Sequence, residues 1–180
     1  MSEIKLKCKD IPSKFKWELL GDVEEGRSSL GQEMPVIIYR LFQYTLKDVL
    51  LREYGPETAA EIYKEAGHLA GTHFAKNALD LSGNFDYFKT NLQRSLKELK
   101  IGILRIEKAD IETFNFTLTV SEDLDCSGLP VTDETVCDYD EGFIAGILEA
   151  YTGEAFEVKE IDCWANGDRT CRFTADIAYD

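Results

Sequence analysis

The 180-residue sequence is poor in the residues and patterns on which most enzyme sites are built. It has two histidines, two tryptophans, two methionines and four prolines. It carries no Gly-rich phosphate loop, no GxSxG elbow and no carboxylate pair of diagnostic spacing. There is no CxxC, which removes the usual redox pair and the zinc ribbon. No stretch approaches the ~20 apolar residues of a membrane helix. The first residues, Met1-Ser-Glu-Ile-Lys-Leu-Lys-Cys8, lack the apolar run of a signal peptide. A soluble, cytoplasmic protein with no membrane partner is expected. Positive charge is also scarce, with 20 Lys and Arg against 34 Asp and Glu, a net charge of −14. A compact nucleic-acid binder needs a basic face for phosphates, so that class is excluded.

Hydrophobic residues make up 44% and charged residues 30%, the balance of a globular domain. At this length a folded chain buries roughly 70% of its unfolded surface, enough for a core without disulfides. The charge is unevenly spread. Residues 1–120 hold 18 acids and 17 bases, whereas residues 121–180 hold 16 acids and only Lys159, Arg169 and Arg172 as bases. That pattern fits either a solvated acidic face or a local sink for the charge, such as a cation or a basic partner. Of five cysteines, Cys8 stands alone, while Cys126, Cys137, Cys163 and Cys171 all lie in the acidic third. A reducing compartment disfavours disulfides among them.

Periodicity divides the chain. Residues 3–9 alternate as a short strand and lead into a Gly- and Ser-rich extension anchored by Phe15, Trp17, Leu19 and Leu20, so that 1–33 form an N-terminal strand and irregular segment. Residues 34–180 are expected to form a single α+β domain. Recurrence at three and four predicts helices over 34–54, 56–79 and 85–99, the first of them on Val36, Tyr39 or Arg40, Phe42-Gln43, Leu46, Val49 and Leu50. Gly55-Pro56 separates the first two. Gly67 and Gly71, four apart, invite a close neighbour. Strands are expected over 101–107 and 113–120 around a turn at Ala109-Asp110. A fourth helix over 139–151 stops at Gly153, and two last strands, 156–164 and 170–177, flank Asn166-Gly167. The fold class is therefore α+β, with an antiparallel sheet of about four or five strands covered by helices.

The strongest chemical pattern is Cys137-x-Tyr139-x-x-Gly142-Phe143-x-x-Gly146, then Glu160-x-x-Cys163, then Gly167-Asp168-x-x-Cys171-x-Phe173. Three thiols and a carboxylate are donors that suit Zn²⁺ in a closed tetrahedron, and soft thiolates favour zinc over calcium or magnesium. The competing reading is four small buried hydrophobes. Strand geometry separates the two. Cys163 and Cys171 face one way only across an odd-length loop, with Gly167 as its left-handed residue, and Glu160 has the wrong parity to join them unless the strand bends near Ile161-Asp162. Cys126 is an alternative ligand or a thiol near a pocket.

These residues resemble the 4-vinyl reductase domain family over about residues 95–178. That family includes proteins linked to bacteriochlorophyll vinyl reduction and the sensor domains of phenol- and xylene-responsive activators. Its fold is shared with haem-nitric-oxide sensors and vesicle-tethering subunits. In the aromatic sensors a structural zinc is held by Cys, Glu and two further Cys, which the resemblance carries onto Cys137, Glu160, Cys163 and Cys171 at intervals of 23, 3 and 8. The resemblance implies a hydrophobic or aromatic ligand held between helices and sheet, a stand-alone sensor or carrier with an unidentified protein partner, and a homodimer formed through the first helices or the N-terminal strand. The alternatives are a reductase of a tetrapyrrole vinyl group, for which no nicotinamide or flavin motif is present, and a tethering-type assembly protein, which would show a large exposed apolar face. The ligand-binding candidates are His73, Phe88 and Phe116. His68 and His73 stand ~140° apart on a helix, a poor metal pair.

Overall fold

Proline, glycine and asparagine set the boundaries of the helices. The structure, a computed structural model, describes residues 12–178. The strand expected over 3–9 and Cys8 lie outside the described residues. Two compact units meet in sequence between Glu33 and Met34. In the first, a 3-10 turn over Trp17–Leu20 precedes the short helix α1 (Val23–Gly26), whose N-cap Asp22 accepts a hydrogen bond from Glu25 N–H. Leu19 and Leu20, expected as anchors, are exposed.

The second unit begins with α2 (Val36–Tyr54), after Pro35 at the N-cap. Gly55 ends it at φ +83°, and Pro56 opens α3 (Pro56–Ala78) at a position where its missing N–H costs nothing. Helix α4 (Phe85–Glu98) starts at Asn84, whose side chain accepts from Tyr87 N–H. Strands β1 (Ile103–Asp110) and β2 (Asn115–Ser121) follow. The turn between them falls later than the sequence suggests, because the Asp110 carboxylate accepts from Glu112 and Thr113 N–H and organises the reversal after itself. Helix α5 (Asp138–Thr152) stops at left-handed Gly153, and β3 (Phe156–Asp162) and β4 (Cys171–Ile177) close the chain.

The sheet runs β1-β2-β4-β3 with every pair antiparallel. One face carries Leu104, Phe116, Leu118, Val120, Phe156, Val158, Phe173 and Ala175, all buried. Helix α5 packs against β3 and, on its other side, against α3, while α4 packs on β1 and α2 on α3. A line of rings runs through the core: Tyr151 stacks on Phe88 at 3.9 Å, and Phe85 on Phe116 at 5.5 Å. The α+β class and four-stranded antiparallel sheet agree with the expectation from the sequence.

Two helices meet through glycine. A Cβ at Gly67 or Gly71 would overlap the carbonyl of Tyr139 or Phe143 on α5, and one at Gly142 or Gly146 would overlap the carbonyl of Lys64 or His68 on α3. The close neighbour that Gly67 and Gly71 invite is thus α5, through its own pair of glycines four residues apart. By contrast α2 buries only Gln43. Val36, Ile37, Leu41, Phe42, Leu46 and Val49 are exposed, Ile37 and Phe42 at 68% each. The periodicity of α2 marks an apolar stripe, but the unit itself leaves most of that stripe uncovered.

Candidate functional site

Four chain segments bring thiols to one point. Cys126 lies in the loop after β2, Cys137 is the N-cap of α5, Cys163 follows β3 and Cys171 opens β4. All four are buried, and their sulfurs lie within 4.8 Å of one another. Local structure orients each one. The Asp123 carboxylate accepts from Asp125 and Cys126 N–H, making a tight turn that presents Cys126. Cys137 C=O accepts the first helical bond of α5, from Glu141 N–H. Asp162 pairs with Arg172, so the next residues, Cys163 and Cys171, face each other across the odd-length loop 164–170. Gly167 is left-handed at φ +104°, and the Asn166 side chain accepts from Cys163 N–H while Asn166 N–H donates to the Cys163 sulfur.

The register of β3 slips between Glu160 and Asp162, making Ile161 a bulge. This is the bend that strand parity requires, and it turns Glu160 to the same buried side as Cys163. Glu160 does not join the converging thiols as an equal. Its Oε2 accepts from Cys137 N–H at 3.1 Å, its own N–H donates to Glu141 Oε1 at 2.8 Å, and its Oε1 is buried without a partner. Glu141, in the first turn of α5, is 3% exposed and ion-paired with Lys64 and Lys159. Trp164 donates from Nε1 to Leu129 C=O, tying the loop 129–133 over the hairpin.

The geometry fits a tetrahedral metal. A Zn–S bond of about 2.3 Å puts neighbouring sulfurs about 3.8 Å apart. Cys137 stands 3.8 Å from Cys163 and 3.9 Å from Cys171, whereas Cys126 and Cys171 are closer, at 3.0 Å. No disulfide joins them; all four are free thiols. Hydrogen bonds from the other three thiols hold Cys163 below the usual thiol range, and the same sharing raises Cys137 and Cys171. The surrounding acids are strained by burial. Asp123 is pushed up to about 7 by burial and by Asp125, and Glu160 to about 8 by burial and by Cys163. Asp140 is raised by burial and by Asp123, and its Oδ2 has no partner. A buried cluster of thiols ringed by unpartnered carboxyl oxygens is an arrangement that a dication would satisfy.

A family model of the 4-vinyl reductase domain matches residues 116–177, the span that contains the four thiols. The Methanocaldococcus jannaschii protein MJ0150 is 33% identical over 179 residues, 98% of this chain and 96% of its own. The chain belongs to the 4-vinyl reductase domain family. A second protein of that organism, MJ1642, is 29% identical over 145 residues, 80% of this chain and 78% of its own. Among solved structures, this vinyl reductase-type domain is similar to the phenol-responsive sensory domain of the transcription activator PoxR with phenol (TM-score 0.63, 14% identity, 82% of this chain and 76% of that one). It is similar also to a vinyl-4-reductase family protein from M. jannaschii (TM-score 0.60, 17% identity, 93% and 100%). A trafficking protein particle complex subunit 3 from Naegleria fowleri, covalently bound to palmitic acid, shares the fold at TM-score 0.62 and 12% identity, over 80% and 95%.

Beside the thiols the 4-vinyl reductase domain encloses an apolar cavity of about 40 Å³ between α4, α5 and the sheet. Phe88, Leu92, Leu118 and Ile147 line it, with Asp123 and Asp140 in the wall that also approaches Cys137. Of the ligand-binding candidates, Phe88 lies in this wall. Phe116 lies behind it, stacked on Phe85 and packed on Phe156, and His73 sits half-buried on α3, lining neither this cavity nor the α2–α3 groove. A wider groove of about 240 Å³ runs between α2 and α3, lined by Tyr39, Phe42, Leu46, Ile62, Tyr63 and Tyr139. No periodic signal in the sequence marks Asp123, Asp140 or Cys126, which come from a loop and a helix start. Their one trace is the Asp-x-Asp-Cys spacing of the loop. Among the described residues no helix is long and apolar enough to cross a membrane.

Proposed function

We propose that this family member is a small-molecule-binding domain that takes a hydrophobic or aromatic ligand between α4, α5 and the sheet. A structural zinc ion on the thiol cluster braces the C-terminal hairpin beside that cavity. The chain acts as a sensor or carrier through a protein partner. The observation that carries this reading is the juxtaposition itself: Asp123 and Asp140 line the apolar cavity, and their carboxylates lie within 4.8 Å of the sulfur of Cys137, a member of the thiol cluster. The likeness to a sensory domain solved with phenol supports it. A volume of about 40 Å³ holds only a few waters, so a ring enters only as the layers part.

Cys137, Cys163 and Cys171 supply three ligands, with the fourth from Glu160, as the resemblance implies, or from Cys126. When bound, the ion supplies charge compensation and a rigid crosslink, and no chemical step is assigned to it. The chain's own residues do the binding: Phe88, Leu92 and Ile147 exclude water, and the free Asp140 oxygen accepts a donor from the ligand's polar end.

The exposed stripe of α2 favours a homodimer. Two chains of net charge −14 repel each other, and an apolar face is where that repulsion opposes contact least. On α2, Arg40 is bonded to the loop at Leu124 and Lys47 is paired with Asp138, which leaves Ile37, Leu41 and Phe42 to form a self-complementary contact. Native mass spectrometry of protein purified without added metal tests the whole reading. It should show two chains, one zinc per chain and a co-purified apolar molecule, or else binding of added phenols and related aromatics. A metal-free monomer that gains no thermal stability from such compounds would end it.

A further inference from the structure

We propose that Cys126, in the place the resemblance gives to Glu160, completes the metal site, so that the ion is held by four thiolates and ties the C-terminal hairpin to helix α2. This rests on the metal reading above and assigns its fourth ligand.

Three observations converge. The sulfur of Cys126 falls inside the 4.8 Å set with the other three, and the carboxylate of Glu160 does not. One oxygen of Glu160 already has a task, since Oε2 receives Cys137 N–H and so holds the backbone of a ligand, which leaves only Oε1 without a partner. Such outer contacts orient metal ligands. The third observation is how Cys126 is carried. The residues just before it are bonded by polar side chains from one face of α2. Tyr39 OH donates to Asp125 Oδ1 at 2.9 Å, Gln43 Nε2 to Asp125 Oδ2 at 2.6 Å and Tyr44 OH to Asp125 C=O at 3.0 Å. Arg40 donates to the carbonyls of Leu124 and Asp123. Asp123 in turn fixes the N–H of Cys126.

The two assignments differ in what the ion joins. Glu160 and Cys163 both belong to the end of β3, so a site completed by Glu160 links only α5 and the hairpin. A site completed by Cys126 adds the β2–α5 loop and, through Asp125, helix α2. Metal occupancy then reaches the exposed apolar stripe. Glu160 becomes a positioning residue.

X-ray absorption at the zinc edge, on the full chain, distinguishes the outcomes. Four sulfur neighbours are expected in the unmodified protein and in Glu160→Gln, and three sulfurs with one lighter atom in Cys126→Ser. Zinc affinity should fall by a factor of about a hundred or more in Cys126→Ser, beyond the 10–100-fold typical of an outer-shell change. Cys126→Asp, which restores a donor, covers the case in which Cys126→Ser does not fold, and should regain part of that loss. Chelation should raise amide exchange in residues 123–128 and in α2. Three sulfurs and one oxygen in the unmodified protein, with Cys126→Ser unchanged and Glu160→Gln stripped of an oxygen ligand, would overturn the assignment while leaving a metal site in place. Absence of stoichiometric zinc from every variant would instead end the metal reading.

Discussion

Replacing Gly142 with alanine should destabilise the protein, although alanine is the better helix former. In an exposed helix the exchange would stabilise by about 1 kcal/mol. Here the new Cβ would fall on the carbonyl of Lys64 and close to His68 N, both backbone atoms of α3 that cannot swing aside. The helices must separate, and separation is resisted along the whole contact by the matching approaches at Gly67, Gly71 and Gly146. Overpacking of this kind costs about 1–3 kcal/mol even where side chains can adjust. With backbone on both sides the net loss should be about 2–3 kcal/mol. For a chain of this size that lowers Tm by about 4–12 °C. Gly142→Ala and Gly146→Ala together should lose less than their sum, because one displacement relieves both collisions. Gly26→Ala, on α1 with no atom near its Cβ, is the control that should lose no stability. Cys137 stands at the start of α5, so zinc affinity should fall with the same displacement. Thermal unfolding followed by circular dichroism measures the first effect. A Gly142→Ala protein that melts at or above the wild-type temperature would refute the claim that α3 and α5 meet backbone to backbone.

Three other outcomes follow from the same geometry. Burial and the neighbouring Asp125 push Asp123 up to about 7 from its ordinary 3.8, so between those values the metal-free fold keeps a proton that the unfolded chain has released. Its contribution is present at low pH and lost as pH rises towards 7; Glu160, pushed up to about 8, has the same sign. Chelated protein should therefore melt higher at pH 5.5 than at pH 8, while zinc-loaded protein, whose thiolates must stay deprotonated, should show the reverse; equal slopes in melts with and without chelator would contradict this. Leu41→Glu, on the exposed stripe of α2, should convert a dimer to a monomer in light scattering without lowering Tm by more than the loss of association explains. Phe88→Ala removes a fully buried ring stacked on Tyr151 and should cost about 3–5 kcal/mol in urea unfolding while enlarging the cavity enough to bind a small aromatic more tightly.

Helix and strand boundaries were legible wherever a residue had a local reason to be there. Gly55-Pro56, Gly153 and Gly167 each mark a backbone conformation that few other residues adopt, and each falls where an element ends. The bulge at Ile161 was legible for a different reason, since Glu160 and Cys163 can face one way only if the strand gains a residue between them. Two things were hidden. The stripe on α2 has the spacing of a buried face, but periodicity reports amphipathicity and not the identity of the cover: of its positions Gln43 is buried, while Val36, Phe42, Leu46 and Val49 are exposed. Cys126 was noticed but could not be placed, because a loop has no period. Its position depends on Asp123 turning the backbone and on α2 side chains far upstream in the sequence. Gly142 and Gly146 stood in the motif, yet only the fold shows that they answer Gly67 and Gly71.

Five of the sixteen acids in the last third have a physical account in the fold. Asp123, Asp125, Glu141 and Glu160 are all buried, and Asp140 hides an oxygen that nothing satisfies. Burying a carboxylate is costly unless it is paired, and of these five only Glu141 meets lysines. Asp125 relies on Tyr39 and Gln43, which are neutral donors. Surface acidity would not place these side chains inside, and packing alone would favour leucine or methionine in their stead. What unites them is nearness to the thiols: Asp123 and Asp140 approach Cys137, Glu160 bonds its backbone, Glu141 accepts from Glu160 N–H, and Asp125 belongs to the loop that presents Cys126. An interior that keeps carboxyls beside thiols is stable in two ways, with protons on the acids or with a cation among the sulfurs. Opposite pH slopes of the chelated and loaded forms would be the signature of that choice. Such slopes would tie the buried carboxyls to the thiol cluster beside them.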